Sequence, residues 1–346
     1  MTDGTTGGSP ADGTTGGSPT GGSPARGTQR GVLGRALITL GWTLRVTGTV
    51  AAFSGNAVYQ SFGPGADDGG TLPWWGVLLT ALALATVGWW VFDRGTHLVR
   101  RGKQHLTPVI TAFEQLAGEP YVLYLRPFAL DPGLSAPVPE PGFYTRAPFE
   151  LPQVTQEEFL VRQVARLGRV IAVGQPGERL PLLGAERGYL PLDDWQNTVA
   201  TLIRGAHVVM LSAAPGPGTV WEFTEAVRTV PPDRLLLLVC TGPVVYDLFR
   251  DRAARAYAER RTADWPPLPE LPDWPAPGPP GKGRTWEYPL RGVISFDQAW
   301  QATFTPFEVS VPALRWGWST RRKVRERLEP VLAPLAALPG SAPRRP

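Results

Sequence analysis

Residues His207 to Val227 read HVVMLSAAPGPGTVWEFTEAV. His207 to Leu211 is an apolar run of strand length with no polar alternation, as in a strand covered on both faces. Ser212 to Thr219 is a Pro/Gly loop, and Val220 to Val227 has the composition of a helix. Upstream, Trp195, Val199, Leu202 and Ala206 recur at helical spacing behind Asp193 or Asp194 as cap, after a long loop from Gly174 to Asp194. Before that come a strand at Val170 to Val173 and a helix opened by the capping box Thr155-Gln156-Glu157-Glu158, with Leu160, Val164 and Leu167 on its apolar face. A Pro-rich loop separates this helix from a first strand at Tyr121 to Leu125. Downstream, Leu235 to Cys240 is a fourth strand and Val244 to Arg261 a helix; Thr262 to Arg284, with eight prolines, reads as an exposed insertion or linker. Gly292 to Phe296 is the last strand, and a C-terminal helix begins near Thr320. This alternation predicts an α/β fold: a flavodoxin-like doubly wound, mostly parallel five-stranded sheet in the order 2-1-3-4-5. Its ligand site is expected at the switch point, where the loop after Leu125 faces Ser212 to Glu222.

The N-terminal third has another character. Leu72 to Phe92, LPWWGVLLTALALATVGWWVF, is free of charge over a length that spans hydrocarbon, with Trp74, Trp75, Trp89 and Trp90 at its ends where aromatic belts lie. Ala36 to Phe53 is a second candidate span, interrupted by Arg45. Arg26, Arg30 and Arg35 precede the pair and Arg94, Arg100, Arg101 and Lys103 follow it, whereas Ser54 to Thr71 carries only Asp67 and Asp68. Positive flanks on both outer sides predict a multi-pass cell-membrane protein with both termini cytoplasmic. The expected organisation is a Gly/Ser/Thr/Pro tail over 1–30, disordered by composition, a hairpin over 31–96 with spans 36–53 and 72–92, a connector over 97–118, and a cytoplasmic domain over 119–335 with the Pro-rich insertion 262–284.

Composition narrows the function classes. The 346 residues are 42% hydrophobic, enough for a core, while 40 Gly and 38 Pro imply long connections. A net charge of +4, with basic clusters beside the apolar segments, fits a lipid bilayer as partner and gives no support to nucleic acid. Cys240 is the single cysteine, and His97, His105 and His207 are far apart, so neither a disulfide nor a metal centre is expected. Two spans offer no pore without a homo-oligomer, which sets a channel aside.

YVLYLRPF, VIAVG, the helix ending in RGA, HVVMLSAA and PGTVWEFTEAV resemble, in that order, a TIR (Toll/interleukin-1 receptor homology) domain over Tyr121 to Asp297. The resemblance implies a signalling module or an enzyme that cleaves the nicotinamide N-glycosidic bond of NAD, with Trp221 and Glu222 at the positions of the family's Trp and catalytic Glu. Nucleoside deoxyribosyltransferases share a related layout and also use a carboxylate. NAD is then a substrate and no cofactor is required. From the residues themselves, Glu222 is either a catalytic carboxylate or, through Thr219-Val220-Trp221-Glu222, the cap of its own helix. Arg126 and Arg187 bind pyrophosphate, or are solvated or salt-bridged; Trp195 stacks on a base or packs in the core. A non-catalytic interaction or nucleotide-sensing module is the alternative function.

Overall fold

The computed structural model describes residues 29–62, 73–116, 118–138, 154–175, 177–190, 194–276, 284–285, 288–311 and 316–339. The expected tail, most of the Pro-rich loop before Thr155 and the 277–283 part of the insertion lie outside them.

Two long helices come first, α1 (Gly31–Phe62) and α2 (Trp74–Leu106), both long and apolar enough to cross a membrane. They pack antiparallel along a line of glycines repeated every seven residues, and seven residues are two helical turns. Gly34 faces Gly102, Gly41 faces Gly95, Gly48 faces Gly88 and Gly55 faces Ala81. The approach is so close that a Cβ on Gly48 would sit 2.5 Å from the Gly88 carbonyl oxygen. Such backbone proximity is how helices adhere where no hydrophobic effect drives them together. Arg45 is buried in this seam, its guanidinium 4.3 Å from the Trp42 ring centroid and 5.0 Å from that of Phe92.

The stretch expected to be a connector is ordered. α2 runs on to Leu106, and after Thr107 and Pro108 the chain enters strand β1 (Val109–Ile110). Strands β2 (Tyr121–Leu125), β3 (Arg169–Gly174), β4 (Glu186–Tyr189), β5 (Val208–Ser212), β6 (Leu235–Val239), β8 (Gly292–Phe296) and β9 (Ala302–Pro306) complete one eight-stranded sheet in the order β1-β4-β3-β2-β5-β6-β8-β9. A separate antiparallel pair joins β7 (Arg284–Thr285) to β10 (Ser310–Val311). All five expected strands are present and adjacent in the expected order, and the expected mostly parallel five-stranded sheet holds in part. The sheet is mixed, because β8 pairs antiparallel to β6 and β9 antiparallel to β8. It is also wider: β4 lies inside the stretch read as a long loop and continues the sheet beyond β3, with β1 parallel to it at the edge, so that β2 to β6 follow the 3-2-1-4-5 order of the other common doubly wound fold rather than the flavodoxin order. ERGY, the sequence of β4, has no apolar run. It holds its place because Arg187 is buried in an ion cluster and the Phe113 ring lies against Gly188 where any Cβ would stand.

Helices cover both faces. α4 (Gln156–Val164), which follows the one-turn α3 (Asp131–Leu134), lies with α8 (Trp316–Ala336) against one face; α5 (Trp195–Gly205), α6 (Pro217–Thr229) and α7 (Pro243–Arg260) cover the other. The capping box forms as read: Thr155 Oγ1 accepts from the Glu158 amide and Glu158 accepts from the Thr155 amide. The described part of the Pro-rich insertion, 262–276, is not an exposed linker. Leu271 is buried, Trp265, Leu268 and Trp274 pack on the core, and the Tyr246 and Tyr257 hydroxyls donate to the Pro272 and Pro266 carbonyls, strapping the segment along α7.

Candidate functional site

A cavity of about 390 Å³ opens at the carboxyl ends of β2, β3 and β5, where the strand order reverses between β2 and β5. Its size is that of a small-molecule site, and open α/β sheets bind ligands at this place. Tyr124, Phe128 and Trp195 contribute aromatic walls, and the first turn of α6 forms one side through Gly216, Gly218 and Thr219.

Local sequence explains how α6 presents Glu222. Pro217 has the dihedral of a first helical residue and needs no amide partner, so the helix starts there with Gly216 as N-cap. Thr219 is thus already inside the helix, and the capping box proposed for Thr219 and Glu222 does not form. Glu222 lies in the second turn, lines the cavity and is half-buried. Among the described residues no hydrogen bond or ion pair reaches its carboxyl. Burial pushes its pKa up to about 8, and the neighbouring Arg126 only partly offsets this. A carboxyl that is largely neutral near pH 7, without structural duties, is the chemically notable group here.

Arg126, the residue after β2, also lines the cavity. Its Nη2 lies 2.8 Å from Asp131 Oδ1 and 3.2 Å from Glu157 Oε2, and its guanidinium carbon is 5.3 Å from the Tyr124 ring centroid. Burial opposes its charge, but Glu157, Tyr124 and Asp131 together hold its pKa above the ordinary value. Arg187 does not line the cavity. It is fully buried behind it, with Nη2 2.9 Å from the same Glu157 oxygen. Glu157 Oε1 accepts from the Ala185 amide at 3.2 Å, so one carboxylate ties β2, α4 and the approach to β4 together. Of the two fates expected for the arginines, the ion-paired one is observed for both. Burial raises the Asp131 pKa, against the pull of Arg126.

Trp195 lines the cavity and meets Trp221 edge to face, with ring centroids 5.1 Å apart. Trp221 itself points away, beneath the Arg260 guanidinium at 5.2 Å, where Arg260 also pairs with Glu225. Glu222, Arg126 and Trp195 therefore converge, Arg187 is linked to them through Glu157, and Trp221 supports Trp195 from behind. Asp131 and Glu157 were missed by sequence reading. Glu157 carried a signal: it precedes Leu160 and Val164 by three and seven residues, a carboxylate at the head of an apolar stripe. Among the described residues no group of three or more metal-ligating side chains converges.

The fold and cavity define a class: an α/β protein with a cavity at the switch point of a mixed sheet, joined to a pair of long apolar helices. No family model matches the chain, and no match was found among curated proteins or solved structures.

Proposed function

We propose that the chain is a membrane-anchored, cytoplasmic TIR-like protein whose switch-point cavity binds NAD or a related nucleotide and cleaves or transfers its N-glycosidic bond, with Glu222 as the catalytic carboxylate. One observation carries this reading: Glu222 is in the cavity wall, outside any capping role, and among the described residues no hydrogen bond or ion pair engages its carboxyl. Cleavage of an N-glycosidic bond builds positive charge on the ribosyl carbon. A positive centre beside Glu222 favours its ionised form, so a carboxyl that is neutral in the empty cavity becomes a carboxylate where charge develops. The electron pair of the broken bond leaves with the base, the proton of Glu222 having passed to solvent as the carboxyl ionised; water or an acceptor hydroxyl then bonds to the ribosyl carbon and gives its proton to the Glu222 carboxylate. Trp195 and Phe128 supply flat apolar surfaces for a base. Arg126, neutralised by Asp131 and Glu157, orients the Glu222 side of the cavity instead of binding phosphate.

The test is release of nicotinamide from NAD by the purified full chain in detergent or vesicles, followed by chromatography. Release that falls at least about 100-fold in Glu222→Gln is the expected result. The absence of release in the parent protein, even when concentrated, overturns the catalytic reading. A specific observation favours the alternative of a binding module. Glycosidic cleavage commonly uses paired carboxyl groups, and here the other two nearby, Asp131 and Glu157, are engaged by Arg126. Saturable NAD binding without nicotinamide release selects that second reading.

A further inference from the structure

The glycine contacts fix a register in which residue n of α1 stands level with residue 136 − n of α2, as the pairs Gly34/Gly102, Gly41/Gly95, Gly48/Gly88 and Gly55/Ala81 each show. This register assigns the height of every side chain along the hairpin. Trp74 to Phe92, the charge-free stretch of α2, lies opposite residues 44–62 of α1 and not opposite 36–53. Arg45 then stands level with Val91 and near the Phe92 ring, in the outermost turn of the charge-free layer.

Exposure along α2 marks the same edges, whereas α1 exposes apolar side chains on both sides of Arg45, Val32, Leu33, Leu40 and Trp42 among them. Trp89 and Trp90 are exposed on α2 at the level of exposed Val46 on α1; at the other end, Trp74 and Trp75 are level with exposed Phe62. Both helices thus carry bulky groups at the same two heights, about 24 Å apart at 1.5 Å per residue. That is somewhat less than the roughly 30 Å of an average hydrocarbon core, a difference that local thinning of the bilayer accommodates. Beyond Trp90, α2 exposes Asp93, Arg94, His97 and Arg101, and no large apolar side chain is exposed until Leu106.

Resting on the membrane reading above, we infer that the lipid-contacting surface is the band of residues 44–62 and 74–92, and that residues 31–43 with 93–106 form a two-helix stalk standing clear of the hydrocarbon on the side of the α/β domain. Arg45 is an interfacial residue, stacked between Trp42 and Phe92 where headgroups begin. The stalk is about 20 Å long. Its base is tied off by Gln29 Nε2, which donates to the Gln104 and Thr107 carbonyls, and by the Arg30 amide donating to His105 Nδ1. Ala36 to Trp42, apolar by composition, belongs to the stalk because its partner segment is charged.

Single-cysteine variants of the full chain in a Cys240→Ala background, reconstituted in phosphatidylcholine vesicles, test this with a membrane-impermeant maleimide present on both sides. Leu40→Cys and Arg101→Cys, in the stalk, are expected to label at least about tenfold faster than Val50→Cys and Leu82→Cys, in the band. All four positions are exposed in the isolated protein. Protection of Leu40→Cys to the same degree as Val50→Cys overturns the band while leaving the membrane reading intact. Rapid labelling of Val50→Cys and Leu82→Cys overturns the membrane reading itself.

Discussion

At the residue scale, Glu222 couples the cavity to pH. Its folded-state pKa, about 8, lies above the ordinary carboxyl value of 4.5, so the folded protein binds more protons than the unfolded chain between these two values. Stability contributed through this group is present below about pH 4.5 and is lost as pH rises towards 8. Glu222→Gln removes the titration. The variant is expected to melt at the same temperature as the parent near pH 4.5 and above it at pH 8.5, which thermal scans across that range read directly; a parallel pair of curves refutes the burial of this carboxyl. The proposed glycosidic cleavage has the opposite sign, because it needs the ionised form. In the parent, kcat/KM for nicotinamide release should rise up to tenfold per pH unit and level off above about pH 8. Glu157 has the opposite kind of importance. It is fully buried between two arginines, and Glu157→Ala leaves both without their shared carboxylate, at a cost of about 3–5 kcal/mol in urea unfolding. A cost below about 1 kcal/mol would mean that water already satisfies the cluster.

At the scale of elements, what hydropathy carries and what it does not can be separated. β2, β5 and β6 are covered on both faces, so YVLYL, VVMLS and LLLLV announce themselves by continuous apolar runs. The ERGY strand is held by an ion cluster and by a ring over glycine, neither of which leaves a periodic trace. The start of α6 follows from Pro217, a signal present in the sequence but outweighed by the attractive spacing of Thr219 and Glu222. In the hairpin, glycines at 34, 41, 48 and 55 and at 88, 95 and 102 are a seven-residue pattern plain to see once helix pairing is considered. Average hydropathy ignores glycine, so it places the first apolar segment without the register. The pairing is also the most breakable element. Gly48→Leu or Gly88→Leu forces a side chain into a carbonyl of the facing helix, whereas Val50→Leu, on the exposed side, does not. The thermal midpoint of the full chain in detergent, followed by circular dichroism, is expected to fall in Gly48→Leu and to stay at the parent value in Val50→Leu; equal midpoints for the two variants would refute the close glycine pairing.

At the scale of the whole molecule, hairpin and domain meet through very little chain. Only Thr107 and Pro108 separate the last turn of α2 from β1, and Lys103 on α2 lies 3.8 Å from the Glu158 carboxylate of α4. β1 lines the edge of β4 through Val109 and Ile110, Phe113 covers Gly188, and Ile110 and Leu116 are buried. The structural boundary of the α/β unit therefore lies near Thr107, and a cut at Glu119, where the apolar strand pattern begins, removes part of its core. A fragment starting at Thr107 keeps β1 and the Phe113 lid; one starting at Glu119 exposes the β4 edge directly above the buried Arg187. Burial of a single large apolar side chain contributes about 1.5–3 kcal/mol, so losing Ile110, Phe113 and Leu116 together should lower unfolding stability by at least about 3 kcal/mol. Urea titrations of the two fragments, followed by tryptophan fluorescence, compare them directly. Equal midpoints would mean that β1 is a dispensable edge and that the hairpin's only hold on the sheet is the peptide chain; a lower midpoint for the shorter fragment makes the foot of the hairpin part of the domain's own core.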